Sequence, residues 1–286
     1  MATAGQATRA GEMLLLSQAA VSMAVAELEN LTGGPLFERL GRRLLLNERG
    51  RLLLPEAQEI LRRAGAIEKA LKESAEEPAG VLNIGASTTI GNYLLPSILG
   101  EFVRMYPLAR TMLHVGNTRQ VEAAVESAEL DIGLIEGSSR SQKIDRVLWK
   151  KDELFVIAGP RHPWAKERRV TAGMLARAEW IMREKGSGTR EVFEKAMARK
   201  TGGFNVVLEL GHTEAIKKAV EAGLGVSCLS RLAVQREIDN NWLVAVDTPL
   251  DLRRTLMLLC RKNDYRTKLF KTFLGLLMSL KNFSCP

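Results

Sequence analysis

The residues of this chain best suited to chemistry are short hydroxyl- and amide-bearing segments, each at a junction between an apolar run and a helical pattern. Ser87-Thr88-Thr89 follows the apolar run 81–86, and Asn117-Thr118 follows 111–115. Ser187-Gly188-Thr189 precedes one helical pattern and His212-Thr213 another. In open α/β sheets ligands collect at the carboxyl ends of strands, and helix N-termini with hydroxyl side chains favour anions there. The chemistry implied is anion binding through neutral donors. Each segment taken singly also reads as an ordinary helix cap. Glu136 ends the apolar run 130–135, and an ionised carboxylate in the same cleft opposes an anion.

Catalysis has no comparable support. His114, His162 and His212 are far apart, and no HExxH, CxxC or GxSxG pattern occurs. Gly186-Ser187-Gly188-Thr189 lacks the lysine and spacing of a phosphate loop. Cys228 and Cys260 fall in apolar strand patterns and read as core residues, while a redox role is left open for Cys285. No enzyme activity, cofactor or metal is therefore expected.

With 286 residues, 46% hydrophobic and 26% charged, the chain has material for about two globular domains. Three widely spaced cysteines make neither a disulfide framework nor a metal cluster, and suit a reducing cytoplasm. No apolar stretch approaches the roughly 20 residues that span a bilayer, and residues 1–11 lack the apolar core of a secretory signal. A cytoplasmic protein without membrane contact is expected. The net charge of +8 suggests nucleic acid, yet residues 1–78 hold ten basic and eleven acidic side chains. Net charge alone does not locate a DNA-binding region, so local pattern must.

The elements that position these residues follow from periodicity. Residues 8–16 read as a short helix, and Ser17 as the N-cap of a second helix through Leu28, with Val21, Val25 and Leu28 on its buried side. Two short helices in tight succession fit a helix-turn-helix. Gly33 to Arg39 forms a loop with two large apolar anchors, and Gly41-Arg42-Arg43 is the basic tip of a short ribbon. Across 38–51 five arginines face two acids, which is where phosphate contact is expected. Asn47 caps a helix reaching about Lys72, its early turns disturbed by Pro55. Leu53, Ala57, Ile60, Ala64, Ile67 and Leu71 alternate at four and three, a coiled-coil seam that predicts a dimer. Packing of this stripe on its own domain is the alternative. Residues 74–80 form an acidic Pro/Gly linker, after which strands and helices alternate and imply a mostly parallel sheet. The expected strands are 81–86, 111–115, 130–135, 180–182, 206–210, 226–229 and 256–260.

Ser17-Gln18-Ala19-Ala20-Val21-Ser22 with Leu28-Glu29 resembles the recognition helix of the LysR-type transcriptional regulators. Pro35-Leu36-Phe37-Glu38-Arg39, Gly41-Arg42-Arg43 and Asn47-Glu48-Arg49-Gly50 resemble that family's wing and linker-helix start. Gly85 to Pro96, Gly116-Asn117-Thr118, Ile135-Glu136-Gly137, Gly186 to Phe193 and Thr213 to Lys217 are similar to the group regulating sulfite reduction and carbon fixation. The resemblance covers nearly the whole chain. It implies a winged helix-turn-helix at 1–52, a linker and dimerisation helix at 53–79, and an effector-binding domain at 80–286. That domain would have two Rossmann-like α/β lobes of the type II periplasmic-binding-protein kind, lobe I near 80–158 and 255–286, lobe II near 159–254.

The resemblance further implies binding of promoter DNA by a homodimer or homotetramer. Ser17, Gln18, Ala19, Ala20 and Ser22 would face the major groove or its phosphates, and Arg42 and Arg43 the backbone or minor groove. Spacing alone leaves a solvated helix and an ordinary basic loop equally open. A small effector would lie between the lobes against Ser87, Thr88, Thr89, Asn117, Thr118, Glu136, Ser187, Gly188, Thr189 and Thr213. A sulfur oxyanion leads, other small anions following. Family members carry one further helix before residue 8, where this sequence has only small polar residues, so a head lacking its first helix is expected. A bilobal solute-binding protein without a DNA-binding head, or an enzyme on the same scaffold, are the rival readings.

Overall fold

The computed structural model describes residues 2, 4–40, 43–72, 77–139, 141–167 and 169–280. The chain divides into two compact units, Met1–Ile67 and Glu68–Pro286.

In the first unit, α1 spans Ala7–Leu14 and α2 spans Gln18–Leu31. Leu15 takes a left-handed conformation (φ 56°) that ends α1, and the Leu16 N–H donates to Gly11 O at 2.9 Å. A Cβ at Gly11 would lie 2.6 Å from Leu16 O, so this turn needs glycine. Ser17 Oγ caps α2 by accepting from Ala20 N at 3.1 Å. Strands β1 (Phe37–Leu40) and β2 (Arg43–Leu46) form the antiparallel wing, with Phe37 opposite Leu46. Asn47 Oδ1 then accepts from Gly50 N at 2.9 Å and starts α3, Glu48–Lys72. The helix runs unbroken through Pro55, contrary to the expected disturbance. Proline forfeits only one backbone donor, and the rest of the helix carries that loss. Arg42 and residues 74–76 of the linker lie outside the described residues.

Ile60 and Ile67 of α3 are 67% and 62% exposed, whereas Leu53 and Ala57 of the same stripe are half-buried. If it is the seam of a dimer, Ile67→Glu buries an unpaired charge and should turn the oligomer into monomers. Multi-angle light scattering checks this; an unchanged mass contradicts a coiled coil.

In the second unit β3 (Gly80–Ser87), α4 (Thr88–Tyr93), α5 (Leu95–Met105), β4 (Ala109–Gly116), α6 (Thr118–Glu126) and β5 (Ile132–Glu136) come first. They are followed by β6 (Ile144–Ala158), α7 (Pro163–Glu167), α8 (Ala172–Arg177), β7 (Glu179–Arg183), α9 (Gly188–Lys200) and β8 (Asn205–Leu210). Last are α10 (Thr213–Glu221), β9 (Ser227–Ser230), α11 (Arg231–Asp239), β10 (Val244–Val246), β11 (Arg253–Arg261) and α12 (Lys268–Ser279).

Two α/β lobes result. In the first, β4, β3 and β5 are parallel, while β11 and the first part of β6 join antiparallel. The mostly parallel expectation therefore holds for three strands and fails at the other edge. The difference comes from β6, whose runs of charged residues on both faces (Asp145, Arg146 and Lys150 to Glu153) mask a strand between apolar segments. Beyond Glu153 the same strand enters the second lobe and pairs with β9 and β10. β7 and β8 form a separate parallel pair there.

The first lobe packs Ile84, Phe102, Leu134, Leu258 and Phe273 around Trp149, whose indole N–H donates to Leu277 O at 2.7 Å. A register shift in β11 opposite Trp149 marks a bulge. The second lobe is built on Trp180 against Phe193, with ring centroids 4.4 Å apart. The Trp180 indole N–H donates to Leu175 O at 2.8 Å. Among the described residues no single helix is long and apolar enough to cross a membrane.

Candidate effector cleft and DNA-contact helix

In the first unit Ser17, Gln18 and Ala19 are exposed at the start of α2, and Ala20 and Ser22 are half-buried behind them. Gln18 Nε2 donates to Ser22 Oγ at 3.0 Å, so both side chains occupy one face. The buried side is Val21, as its spacing predicts, whereas Leu28 is exposed. Arg43 opens β2, though its side chain, like Arg42, is outside the described residues.

In the second unit the expected segments do converge. Ser87, Thr88, Thr89, Thr118, Glu136, Ser187, Thr189 and Thr213 are all buried. Thr118 and Thr189 meet at Glu136: the Thr118 hydroxyl donates to Glu136 O at 2.9 Å, and the Thr189 hydroxyl to Glu136 Oε2 at 3.1 Å. Gly188 is required at this crossing, since a Cβ there would stand 2.2 Å from Glu136 O. Asn117 behaves chiefly as a cap, in a reciprocal box with Gln120 at the start of α6. The hydroxyls of Ser87 and Ser187 are buried with no hydrogen-bond partner among the described residues. A buried hydroxyl left unpaired is costly, and Ser87 also counts among the groups that lower the Glu136 carboxyl.

Three charged residues that periodicity did not single out complete the site. Arg183, the last residue of β7, is 2% exposed. Its Nη2 donates to Thr88 Oγ1 at 3.0 Å across the lobes, and Nη1 approaches Thr213 Oγ1 at 3.5 Å. Its ion partner is Glu184, whose side chain is 25% exposed. Arg190 fixes the end of β7 by donating to Arg183 O at 2.9 Å. Arg254, at the start of β11, lies between Glu136 and Asp152 at 3.2 and 2.7 Å. The signal available in the sequence was position: Arg183 follows the strand expected at 180–182, and Arg254 precedes the strand expected at 256.

Glu136 does not oppose an anion as a bare charge would. Burial pushes its carboxyl up, but Arg254, with help from Thr89 and Arg183, outweighs burial and holds it below the usual carboxylate range. It is ionised and already matched. Glu184 is lowered likewise, mainly by Arg183 against partial burial. A further contact across the lobes joins the Tyr93 hydroxyl to Glu214 Oε1 at 2.7 Å, with Lys217 Nζ on the same carboxylate at 2.6 Å. Burial pushes the Cys228 thiol up and Cys260 up to about 11, so neither is a thiolate near neutral pH.

Residues 1–51 match the bacterial regulatory helix-turn-helix model of the lysR family, and residues 75–280 match the LysR substrate binding domain. The chain belongs to the LysR family of transcriptional regulators. This LysR-type regulator is 42% identical over 271 residues to the uncharacterized HTH-type transcriptional regulator YeiE of Escherichia coli, covering 94% of this chain and 91% of that one. It is 34% identical over 282 residues to a probable RuBisCO transcriptional regulator of Trichormus variabilis, covering 96% and 83%. That relative falls on the carbon-fixation side of the resemblance. Among solved structures, the Synechocystis CcmR regulatory domain in complex with 2-PG is 30% identical with TM-score 0.66, covering 71% of this chain and 98% of that one. Full-length OxyR of Pseudomonas aeruginosa shares the fold at 22% identity, with TM-score 0.75 and coverage of 99% and 94%.

Proposed function

We propose that this LysR-type regulator reads promoter DNA through the start of α2 and the wing, and is controlled by a small oxyanion held between its lobes. One observation carries the effector reading. Arg183 is a buried guanidinium that reaches from the second lobe to Thr88 of the first, in a cleft with two unpaired buried hydroxyls. Its carboxylate partner Glu184 is partly exposed, so an oxyanion can replace it on the planar guanidinium fork. Closure on an anion would then favour one lobe arrangement, a population shift that requires tighter binding to that state. A sulfur oxyanion remains the leading candidate from the subgroup resemblance. The 2-PG bound by the CcmR domain makes a larger oxyanion ligand its nearest competitor.

Titration calorimetry of the full chain with sulfite, sulfate, thiosulfate, phosphate, 2-PG and short carboxylates tests the reading. Heat is expected from at least one oxyanion and should weaken in Thr88→Val. Heat from an apolar or aromatic ligand alone, unaffected by Thr88→Val, contradicts it.

For DNA, Gln18 and Ser22 present one exposed polar face that suits base edges and phosphates. Gln18→Ala should relax sequence preference at one base pair. Arg42→Ala with Arg43→Ala should instead weaken all sequences alike and flatten the salt dependence. Fluorescence anisotropy over a salt series separates the two, and equal effects from both would contradict the docking. Assembly as a homodimer or homotetramer, with α3 as the seam, would let lobe closure alter the spacing of paired heads.

A further inference from the structure

The carboxylate of Glu136 is held from three directions. Its Oε1 accepts from Thr89 N at 2.8 Å. Its Oε2 accepts from the Thr189 hydroxyl at 3.1 Å and from Arg254 Nη1 at 3.2 Å. Arg254 also donates to Thr189 Oγ1 at 2.9 Å and Thr89 Oγ1 at 3.3 Å. Its Nε is held by Asp152, which in turn accepts from Ser230 Oγ at 2.9 Å. The donors come from three places: Thr89 in the first lobe, Thr189 in the second, and Arg254 where β11 begins beside β6. One guanidinium N–H, one backbone N–H and one hydroxyl aimed at one buried point form the donor set that a bound carboxylate receives. Both Glu136 and Arg254 have side chains only 1% exposed, so no water screens these contacts.

We propose that Glu136 is an internal ligand: the chain's own carboxylate fills an anion position built by Arg254, Thr89 and Thr189, and ties the two lobes together in the absence of effector. The geometry of the backbone serves the same end. The Glu136 carbonyl is gripped by Thr118 and lies against Gly188, so the backbone that carries the carboxylate is fixed at the crossing. An external anion is thereby kept to the Arg183 side of the cleft. The tie is built from the chain's own groups, so it can be tested without an effector.

Vacating the position tests this. In the full chain, Glu136→Ala leaves the three donors facing a space that fits formate. Sodium formate is expected to raise the melting temperature of Glu136→Ala saturably, beyond sodium chloride at equal ionic strength. Wild type and Glu136→Gln, whose side chains fill the position, should respond to both salts alike. A formate response in Glu136→Ala no greater than in wild type overturns the proposal, as does an equal response in Glu136→Gln. Should Glu136→Ala fail to fold, hydrogen exchange of Glu136→Gln decides. Segments 87–91 and 187–191 should both exchange about tenfold faster, with 81–84 unchanged. Acceleration of only one segment, or of neither, overturns the tie.

Discussion

Arg254→Met is expected to destabilise the chain more than any other single change in the cleft, by about 3–5 kcal/mol at neutral pH. Methionine keeps much of the side-chain bulk and removes the charge. Glu136 and Asp152, 1% and 2% exposed, are then left as two buried carboxylates without their shared cation. The pH dependence follows in sign. In the wild type Glu136 has its folded-state pKa lowered, so its contribution is present above the unfolded value of 4.5 and is lost as pH falls through the folded one. Without Arg254, burial becomes the dominant influence and raises that carboxyl instead. The variant can then protonate Glu136 at higher pH and escape part of the penalty. Urea unfolding at pH 7 and pH 4 should show the gap between wild type and variant narrowing on acidification. A gap that stays constant would mean that Glu136 and Arg254 are not coupled.

Arg183→Ala is expected to have the largest effect on effector binding, with a loss of roughly a hundredfold or more. Hydrogen bonds to charged groups contribute about 1.5–3 kcal/mol each, and a guanidinium can give two to one oxyanion. Arg183→Lys should recover little, because an ammonium cannot reproduce the planar fork. Stability should fall less than in Arg254→Met, since the ion partner lost is the partly exposed Glu184 rather than a fully buried carboxylate. Calorimetry with the tightest oxyanion found, paired with thermal unfolding, measures both. An unchanged Kd in Arg183→Ala would move the effector away from this residue.

Much of this was legible in the residues themselves. Ser17 as a cap, the ribbon carrying Arg43 and the long helix after Asn47 follow from local chemistry that acts within a few residues. The hydroxyl segments could be recognised because strand-to-helix junctions announce themselves by a change of period at Ser87, Asn117 and Ser187. What the pattern hid was long-range. Strand β6 carries runs of charged residues in place of an apolar alternation and so resembles a loop between apolar segments. Arg183 and Arg254 are ordinary basic residues in sequence; their partners Thr88 and Glu136 lie 95 and 118 positions away. The pairing of Glu136 with Arg254 is hidden for the same reason. A carboxylate read in isolation is a bare negative charge, and the guanidinium that matches it lies 118 positions away.

The central claim, that an oxyanion in the cleft governs DNA binding, is tested most directly by one coupled measurement. Duplex DNA selected in vitro by the full chain is titrated with protein, with and without the saturating oxyanion, and fluorescence anisotropy gives the two Kd values. The oxyanion is expected to change DNA affinity several-fold or more, within the span of about 5–150-fold typical of linked sites. Arg183→Ala should abolish the change while keeping the affinity measured without ligand. Equal DNA affinity at saturating oxyanion, or a shift that survives Arg183→Ala, would contradict it.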